Sequence, residues 1–215
     1  MQRYDVYKQL EKLRVIPVVT IDHVGQAIPL ADALIEGGLP VLEITFRTDA
    51  AADVIQKLRR ERSDLLIGAG TLLTVENVRK AKDSGAVFGV APGFNRKVAE
   101  EALRLDFPFS PGVMTPTDIE AALDLGIKVL KFFPAEAMGG IKTLTQIAAP
   151  YVHTGVRFIP LGKINLNNFQ AYLENDVVLA VGGSWIAKRD QIASGGWETI
   201  KQNCTEIKRV LNAPG

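Results

Sequence analysis

Short apolar segments alternate with helical patterns along almost the whole chain, and this alternation restricts the fold more than any other feature. Each segment is rich in Val, Ile, Leu and Phe, and an amphipathic stretch follows it. Thr48, Thr74 and Thr115 precede helical patterns and are predicted to cap those helices. The predicted strands are residues 15–19, 41–45, 65–68, 87–90, 107–110, 129–134, 156–159 and 177–181. Buried runs that are joined by helices are typical of parallel strands with crossover connections.

About eight strand–helix units in 215 residues predict an α/β fold, a (β/α)₈ TIM barrel of parallel strands. Residues 4–13 place Tyr7, Leu10 and Leu13 on one face and predict an extra N-terminal helix. The alternative is a doubly wound open sheet, but no Gly-x-Gly-x-x-Gly sequence follows the first strand. No linker or low-complexity tract divides the chain, so we expect a single barrel domain over residues 1–215.

Composition narrows the range of functions. The formal net charge of +1 gives no electrostatic reason to expect a nucleic acid or a membrane surface as partner. One cysteine, Cys204, excludes an internal disulfide, and His23 and His153 are too few for a histidine-rich metal centre, so we predict no metal and no cofactor. The polar start of the chain and the lack of a long apolar run predict a soluble cytoplasmic protein.

One predicted strand, residues 129–134, contains a lysine in an otherwise apolar sequence. Burying an ammonium group is costly unless the group is paired or neutralised. An amine in apolar surroundings loses its proton more readily, and a neutral amine is a nucleophile toward a carbonyl carbon. The strand alone leaves two interpretations of Lys131 open, a strand-end lysine that reaches water or a catalytic nucleophile.

Three other polar residues stand in or just after predicted strands. Glu43 and Arg47 belong to the second strand and its loop, and Thr71 follows the third strand. Taken singly, these residues have ordinary structural explanations: an ion pair, a solvated loop residue and a turn or cap residue. In a barrel, however, the carboxyl ends of all strands meet at one mouth, where active sites are built. The sequence therefore favours one site that contains Glu43, Arg47, Thr71 and Lys131.

These four side chains fit one type of reaction. A neutral lysine condenses with a ketone to form an iminium ion, whose positive nitrogen draws electrons from a neighbouring C–C or C–H bond. A carboxylate such as Glu43 moves protons between the intermediates. A guanidinium binds a carboxylate through two parallel hydrogen bonds, so Arg47 suits the carboxylate of a 2-keto acid, with Thr71 as a further donor. This chemistry requires no metal.

The loops after the last two predicted strands indicate an anion site. Barrels frequently bind phosphate at these loops through backbone N–H groups. Here Leu161, Gly162 and Lys163 follow the seventh strand, and residues 182–184, Gly-Gly-Ser, follow the eighth. Glycines let the backbone approach a ligand closely, although a Gly-Gly pair also serves ordinary turns.

Together these segments resemble the 2-keto-3-deoxy-6-phosphogluconate (KDPG) aldolase family, Schiff-base lyases of the Entner–Doudoroff pathway, many of which also cleave 4-hydroxy-2-oxoglutarate. The resemblance covers nearly the whole chain. Its most specific parts are residues 131–137 (KFFPAEA) and 182–185 (GGSW). The other matching segments are residues 41–48 (VLEITFRT), 68–72 (GAGTL), 92–94 (PGF), 110–112 (SPG) and 139–142 (GGIK).

The resemblance implies a role for each matching residue. It implies that Lys131 forms the Schiff base, that Glu43 is the general acid and base, and that Arg47 and Thr71 bind the pyruvyl end of the substrate. The implied reaction is the cleavage of KDPG to pyruvate and glyceraldehyde 3-phosphate by an aldehyde-lyase.

The resemblance also implies residues around the substrate. It implies that Pro92 and Phe133 shape the pocket, and that Gly182, Gly183 and Ser184 hold the phosphate. The implied assembly is a homotrimer.

The chain departs from the family pattern after the seventh strand. The family usually has Pro-Thr-Gly-Gly there, whereas residues 160–163 are Pro-Leu-Gly-Lys. Either Lys163 binds the phosphate by its charge, or the distal end of the substrate differs. The second outcome gives the closest alternative, the same chemistry on an unphosphorylated 2-keto acid such as 4-hydroxy-2-oxoglutarate. Two alternatives of other kinds also stay open: a non-catalytic barrel that binds a phosphorylated metabolite, and a metal-dependent aldolase.

Overall fold

The computed structural model describes residues 3–213, so residues 1–2 and 214–215 of the predicted domain lie outside the described part. The strands are β1 (Val15–Val19), β2 (Val41–Thr45), β3 (Leu66–Gly70), β4 (Phe88–Val90), β5 (Phe109–Ser110), β6 (Gly112–Val113), β7 (Val129–Phe132), β8 (Arg157–Pro160) and β9 (Val181–Gly183). The helices are α1 (Arg3–Leu13), α2 (Ala27–Glu36), α3 (Ala51–Glu61), α4 (Val75–Asp83), α5 (Arg96–Arg104), α6 (Pro116–Asp124), α7 (Gly140–Ala148), α8 (Phe169–Leu173), α9 (Arg189–Ala193) and α10 (Trp197–Leu211). Short 3₁₀ helices occupy Val24–Gln26, Glu136–Met138 and Ala149–Thr154.

The strands form a curled parallel sheet in two pieces. One piece has the order β5-β4-β3-β2-β1-β9 and the other has the order β6-β7-β8. Pro111, which has no N–H to donate, separates β5 from β6. An isolated parallel bridge joins Phe158 of β8 to Val178, and the Leu179 N–H donates to the Phe158 carbonyl at 2.8 Å. The parallel strands with crossover helices that the sequence predicts are therefore confirmed, whereas the regular part of the last strand lies later, at β9.

Two apolar clusters cover the two faces of the sheet. The outer cluster lies between the strands and the helices that surround them. The inner cluster contains Val6 and Leu10 of α1, with Tyr7 and Leu13 half-buried against it. The extra N-terminal helix and its apolar face are thus confirmed. The other buried residues of the inner cluster are Ile16, Val41, Leu66, Phe88, Val90, Ile159, Leu179 and Ala180.

Two of the three predicted threonine caps are present. The Thr74 hydroxyl accepts from the Asn77 N–H at 3.1 Å, and the Thr115 hydroxyl accepts from the Asp118 N–H at 3.3 Å. The prediction for Thr48 is wrong, because α3 begins later and Ala50 is its N-cap. Thr48 instead donates its hydroxyl hydrogen to the Ile21 carbonyl at 2.6 Å, and so ties the loop after β2 to the loop after β1. Within residues 3–213, no helix is long and apolar enough to cross a membrane.

Candidate active site

Lys131 of β7 and Glu43 of β2 lie next to each other near the carboxyl ends of their strands. Both are buried, with 5% and 3% of their surface exposed. Lys131 Nζ lies 3.5 Å from Glu43 Oε1, and this oxygen has no hydrogen-bond partner among the described residues. A buried carboxylate with an unsatisfied oxygen is costly, and such groups occur where a bound molecule can complete the hydrogen bonding.

Small residues of β3 make room for the Glu43 carboxylate. Gly70 lies beside Thr45 in the β2–β3 pairing, and a Cβ atom at Gly70 would overlap Glu43 Oε1. Residue 70 must therefore be glycine if the Glu43 carboxylate is to stay where it is. This explains part of the GAG sequence in physical terms.

Phe133 and Pro92, the two predicted pocket residues, lie at different distances from Lys131. The Lys131 Nζ atom is 5.5 Å from the centre of the Phe133 ring, which is within the range of a cation–π contact. Pro92 follows β4, and its carbonyl oxygen is so close to Gly112 that a Cβ atom there would overlap it. Because Gly112 pairs with Lys131 in the β6–β7 register, Pro92 lies one strand away from the lysine, whereas Phe133 is in contact with it.

Thr71 and Arg47 also follow strands at this end of the sheet. Thr71 comes directly after β3 and has a φ of 59°, a left-handed conformation that costs a β-branched residue on the order of 1–3 kcal/mol. Arg47 is exposed, and its Nη2 donates to the Thr20 hydroxyl at 3.0 Å. Thr20 was not among the residues predicted from the sequence, although it is a polar residue that directly follows β1, just as Thr71 directly follows β3.

One cavity of about 440 Å³ is lined by all five residues of the predicted phosphate site, which are Gly162, Lys163, Gly182, Gly183 and Ser184. Lys163 is exposed and adopts a φ of 58°, and Gly162 adopts a φ of 119°. Trp185 and Lys188 also line this cavity and were not selected from the sequence. The complete lining is Leu161, Gly162, Lys163, Ile164, Asn165, Gly182, Gly183, Ser184, Trp185 and Lys188.

Gly182 and Gly183, the two glycines of the GGSW segment, lie within a strand and not in the loop where the sequence predicted them. They belong to β9 itself and are buried. A Cβ atom at Gly182 would meet the Leu161 side chain, and one at Gly183 would overlap the Trp185 ring. The space that these glycines leave is therefore filled by side chains of this chain, and Ser184 is the first exposed residue of the segment.

Ser184 connects the distal cavity with the region around Arg47. It also lines a second cavity of about 200 Å³, together with Val18, Thr20, Arg47, Ala187 and Arg189. A larger cavity, about 610 Å³, is lined by α1 and by residues at the starts of β3, β4 and β5, and none of the predicted site residues lines it. Among the described residues, no group of three or more His, Cys, Asp or Glu side chains is arranged to hold a metal ion.

A hydrogen-bond network joins the loop that follows Lys131 to the loop that contains Lys163. The Ala135 N–H donates to the Leu161 carbonyl at 2.9 Å, and the Glu136 N–H donates to the Gly162 carbonyl at 3.2 Å. Tyr172 of α8 is buried and donates its hydroxyl hydrogen to the Glu136 carboxylate. Burial, and then this bond to a carboxylate, raise the pKa of Tyr172 above its usual range, so the phenol remains a donor.

A buried amine beside a buried carboxylate, at the carboxyl ends of parallel strands, defines a class of enzymes that form a lysine Schiff base, the class I aldolases. The sequence model of the KDPG and KHG (4-hydroxy-2-oxoglutarate) aldolase family matches residues 6–203. The chain therefore belongs to the KDPG and KHG aldolase family.

Individual relatives agree with this membership over most of the chain. The 2-dehydro-3-deoxy-phosphogluconate aldolase of Treponema pallidum (strain Nichols) is 48% identical over 195 residues, which cover 91% of this chain and 92% of the relative. The KHG/KDPG aldolase of Escherichia coli (strain K12) is 37% identical and covers 89% of each chain. A crystal structure of KDPG aldolase from Legionella pneumophila, with pyruvate captured as a covalent carbinolamine, is 36% identical, with a TM-score of 0.88 over 95% of this chain and 97% of that chain.

Proposed function

We propose that this protein cleaves KDPG to pyruvate and glyceraldehyde 3-phosphate through a Schiff base on Lys131. The observation that carries the proposal is the 3.5 Å contact between Lys131 Nζ and Glu43 Oε1 inside a buried site at the carboxyl ends of the strands. The relatives support the substrate, since the protein from Treponema pallidum is named for the phosphogluconate compound and the Legionella pneumophila enzyme was captured with pyruvate.

In the proposed reaction, Lys131 first releases to water the proton that it carries in its resting ion pair with Glu43. The neutral amine then attacks C2 of the substrate, and the carbinolamine loses water to give the iminium ion. Removal of the proton from the C4 hydroxyl then breaks the C3–C4 bond, and the bonding electrons pass to the iminium nitrogen. Glyceraldehyde 3-phosphate leaves, C3 of the enamine takes up a proton, and water releases pyruvate. Glu43 carries these protons, since it is the carboxylate beside Lys131.

The proposed contacts divide the substrate into two ends. Arg47 and Thr71 bind the carboxylate of the pyruvyl half, while Pro92 and Phe133 shape the pocket around C2 and C3. The cavity that Lys163 and Ser184 line takes the phosphate. In this arrangement Gly162, Gly182 and Gly183 contribute backbone N–H groups and the close packing that shapes the loops.

A second substrate is favoured by the Lys163 position. An exposed lysine replaces the glycine that the family usually has in this loop, and an ammonium group also pairs with a carboxylate. 4-Hydroxy-2-oxoglutarate has a carboxylate at its distal end, and the Escherichia coli relative is named for both substrates. Cleavage of this shorter substrate by the same Lys131 chemistry is therefore the alternative.

We also propose the complete architecture around this site. The strands close into one (β/α)₈ barrel over residues 1–215, which is supported by the parallel bridge between Phe158 and Val178 beside the gap between β8 and β9. The barrel assembles as a homotrimer in the cytoplasm and acts on small molecules without a cofactor. Equilibrium sedimentation at micromolar concentration tests the trimer directly.

The proposed mechanism is tested by trapping. Incubation with pyruvate and sodium borohydride reduces the iminium ion to a stable secondary amine on the enzyme. We expect one added pyruvyl group per chain, and peptide mass spectrometry is expected to place it on Lys131. Incubation with borohydride alone is the control. An unmodified Lys131 in protein that cleaves KDPG would contradict the Schiff-base mechanism.

The Lys163→Gly variant tests whether Lys163 binds the distal group of KDPG or that of 4-hydroxy-2-oxoglutarate. If the ammonium group binds the phosphate at an exposed site, its loss is expected to lower kcat/KM for KDPG about five- to tenfold, because exposed charge pairs are weak. Stability is expected to be maintained, because glycine adopts a φ of 58° without the cost of on the order of 1–2 kcal/mol that lysine carries there. Steady-state kinetics on KDPG and 4-hydroxy-2-oxoglutarate, with thermal unfolding, measure both effects.

Lys163→Asn is the matched control for this substitution, since asparagine also tolerates the left-handed conformation and removes the charge. The two variants are expected to behave alike toward KDPG. A loss confined to 4-hydroxy-2-oxoglutarate would instead assign Lys163 to the distal carboxylate of that substrate.

A further inference from the structure

We propose that Thr20 and Thr45 are positioning residues that hold the Arg47 guanidinium in place for the carboxylate of the 2-keto acid. The proposal rests on the proposed function, in which Arg47 binds that carboxylate. The observation is a continuous chain of hydrogen bonds from an exposed arginine into the buried sheet. Arg47 Nη2 lies 3.0 Å from Thr20 Oγ1, which lies 2.9 Å from Thr45 Oγ1.

The direction of every bond in this chain follows from counting hydrogens. A threonine hydroxyl has one hydrogen to donate. Thr45 uses its hydrogen in a bond of 3.1 Å to the Val19 carbonyl, so Thr20 must donate to Thr45. The Thr20 oxygen is then free to accept from Arg47, which can only donate. The order is therefore Arg47 to Thr20, Thr20 to Thr45, and Thr45 to the Val19 carbonyl.

This order of hydrogen bonds means that Thr20 positions Arg47 and does not itself donate a hydrogen bond to the substrate. Its single hydrogen is committed to Thr45, so it has none to offer to a substrate oxygen. Thr45 is buried in β2, with 2% of its surface exposed, which places it within the sheet. A substrate carboxylate would therefore meet the guanidinium of Arg47, with the two hydroxyls behind it.

The segment around Thr20 is fixed from two sides. Thr48, in the loop after β2, donates to the Ile21 carbonyl at 2.6 Å. Asp22 receives two hydrogen bonds from Arg189 of α9, at 2.6 and 2.8 Å. Thr20 is thus held in a loop that is joined to neighbours on both sides, which suits a residue that orients a long, mobile side chain.

The charges around the small cavity also favour a ligand at Arg47. Arg189 lines the same cavity, but Asp22 occupies its guanidinium, and the hydrogen bond from Arg189 lowers the pKa of Asp22 below its usual range. Among the described residues, no Asp or Glu lies within ion-pair distance of Arg47. The Arg47 charge is therefore available to an anion, and its direction is set by Thr20.

The test compares Thr20→Val with Thr20→Ser. Valine has nearly the shape of threonine but removes the hydroxyl, whereas serine retains it. We expect the valine variant to raise KM for KDPG, and the concentration of pyruvate that half-saturates borohydride trapping, about three- to tenfold. We expect kcat to change less than about twofold, because the hydroxyl does not touch the reacting atoms. Thr20→Ser is expected to restore both values.

A second set of variants tests whether Thr20 acts through Arg47. In the Arg47→Ala background, Thr20→Val is expected to cause no further rise in KM, since there is no guanidinium left to orient. Thr45→Val is expected to raise KM in the same direction. Thr205→Val is the control, because it removes a 3.0 Å hydroxyl–carbonyl bond on α10, outside the site.

Two results would overturn the inference. An unchanged KM in Thr20→Val would show that Arg47 needs no support, and equal effects of Thr20→Val with and without Arg47 would show that Thr20 acts by itself. Failure of the underlying role of Arg47 is distinguishable, since Arg47→Ala would then leave KM unchanged. Thermal unfolding of each variant, with Thr20→Ser as a second substitution, separates loss of folding from loss of positioning.

Discussion

Lys131→Arg is expected to give no borohydride-trapped pyruvate adduct and to lower kcat/KM for KDPG by at least about 10⁴-fold, as is typical when a covalent nucleophile is removed. Arginine keeps the positive charge beside Glu43, but its guanidinium stays protonated in proteins and does not form an imine with a ketone. The substitution therefore removes the nucleophilic amine while it retains a cation that can pair with Glu43. Steady-state kinetics and intact-protein mass measure the two outcomes.

Lys131→Met supplies the complementary measurement of stability. It leaves the Glu43 carboxylate buried without a cation, which is expected to lower the free energy of unfolding by about 3–5 kcal/mol. In the double variant Lys131→Met with Glu43→Gln, the uncompensated charge is also removed, and most of the loss is expected to be recovered. Denaturant titration measures the free energy of unfolding of each variant.

The Lys131→Arg variant also provides the result that would contradict the mechanism. Residual aldolase activity above about one per cent in folded Lys131→Arg would exclude the Schiff-base role.

The alternation of strands and helices was predictable because it depends on local hydrophobic patterning, which a sequence displays directly. The meeting of Glu43 and Lys131 was also predictable, since parallel strands direct their carboxyl ends to one edge. The interruption at Pro111 was not foreseen, although a proline that cannot donate to a strand ladder is a visible signal.

The features that the sequence did not reveal depend on contacts between distant segments. The Arg47–Thr20–Thr45 chain requires β1 beside β2 in one particular register, in which Val18 pairs with Glu43. The roles of Gly182 and Gly183 depend on the Leu161 and Trp185 side chains that fill the space beside them. Thr48 has the sequence context of a helix cap, and only the position of the Ile21 carbonyl shows its actual bond.

Glu43→Gln is expected to lower kcat for KDPG cleavage by about 10²–10⁴-fold while Lys131 still forms an adduct with pyruvate. Glutamine has nearly the same shape as glutamate, but it cannot accept and return a proton. The enamine that follows C3–C4 cleavage would then lack the group that protonates its carbon. The second expected effect is on pyruvate alone: exchange of its methyl hydrogens with deuterated water, followed by proton NMR, is expected to be rapid in the wild type and to fall in parallel with kcat.

Gly70→Ala tests the same carboxylate by displacing it rather than by changing its chemistry. The added methyl group would overlap Glu43 Oε1, so the carboxylate cannot keep its present position beside Lys131. If Glu43 transfers the proton, both variants are expected to lose methyl exchange, and Lys131 is expected to be trapped in both. Exchange at the wild-type rate in folded Glu43→Gln would assign proton transfer to another group, such as a bound water. Because trapping reports on the Lys131 nucleophile and exchange reports on the enamine carbon, the pair of measurements assigns each step to its own residue.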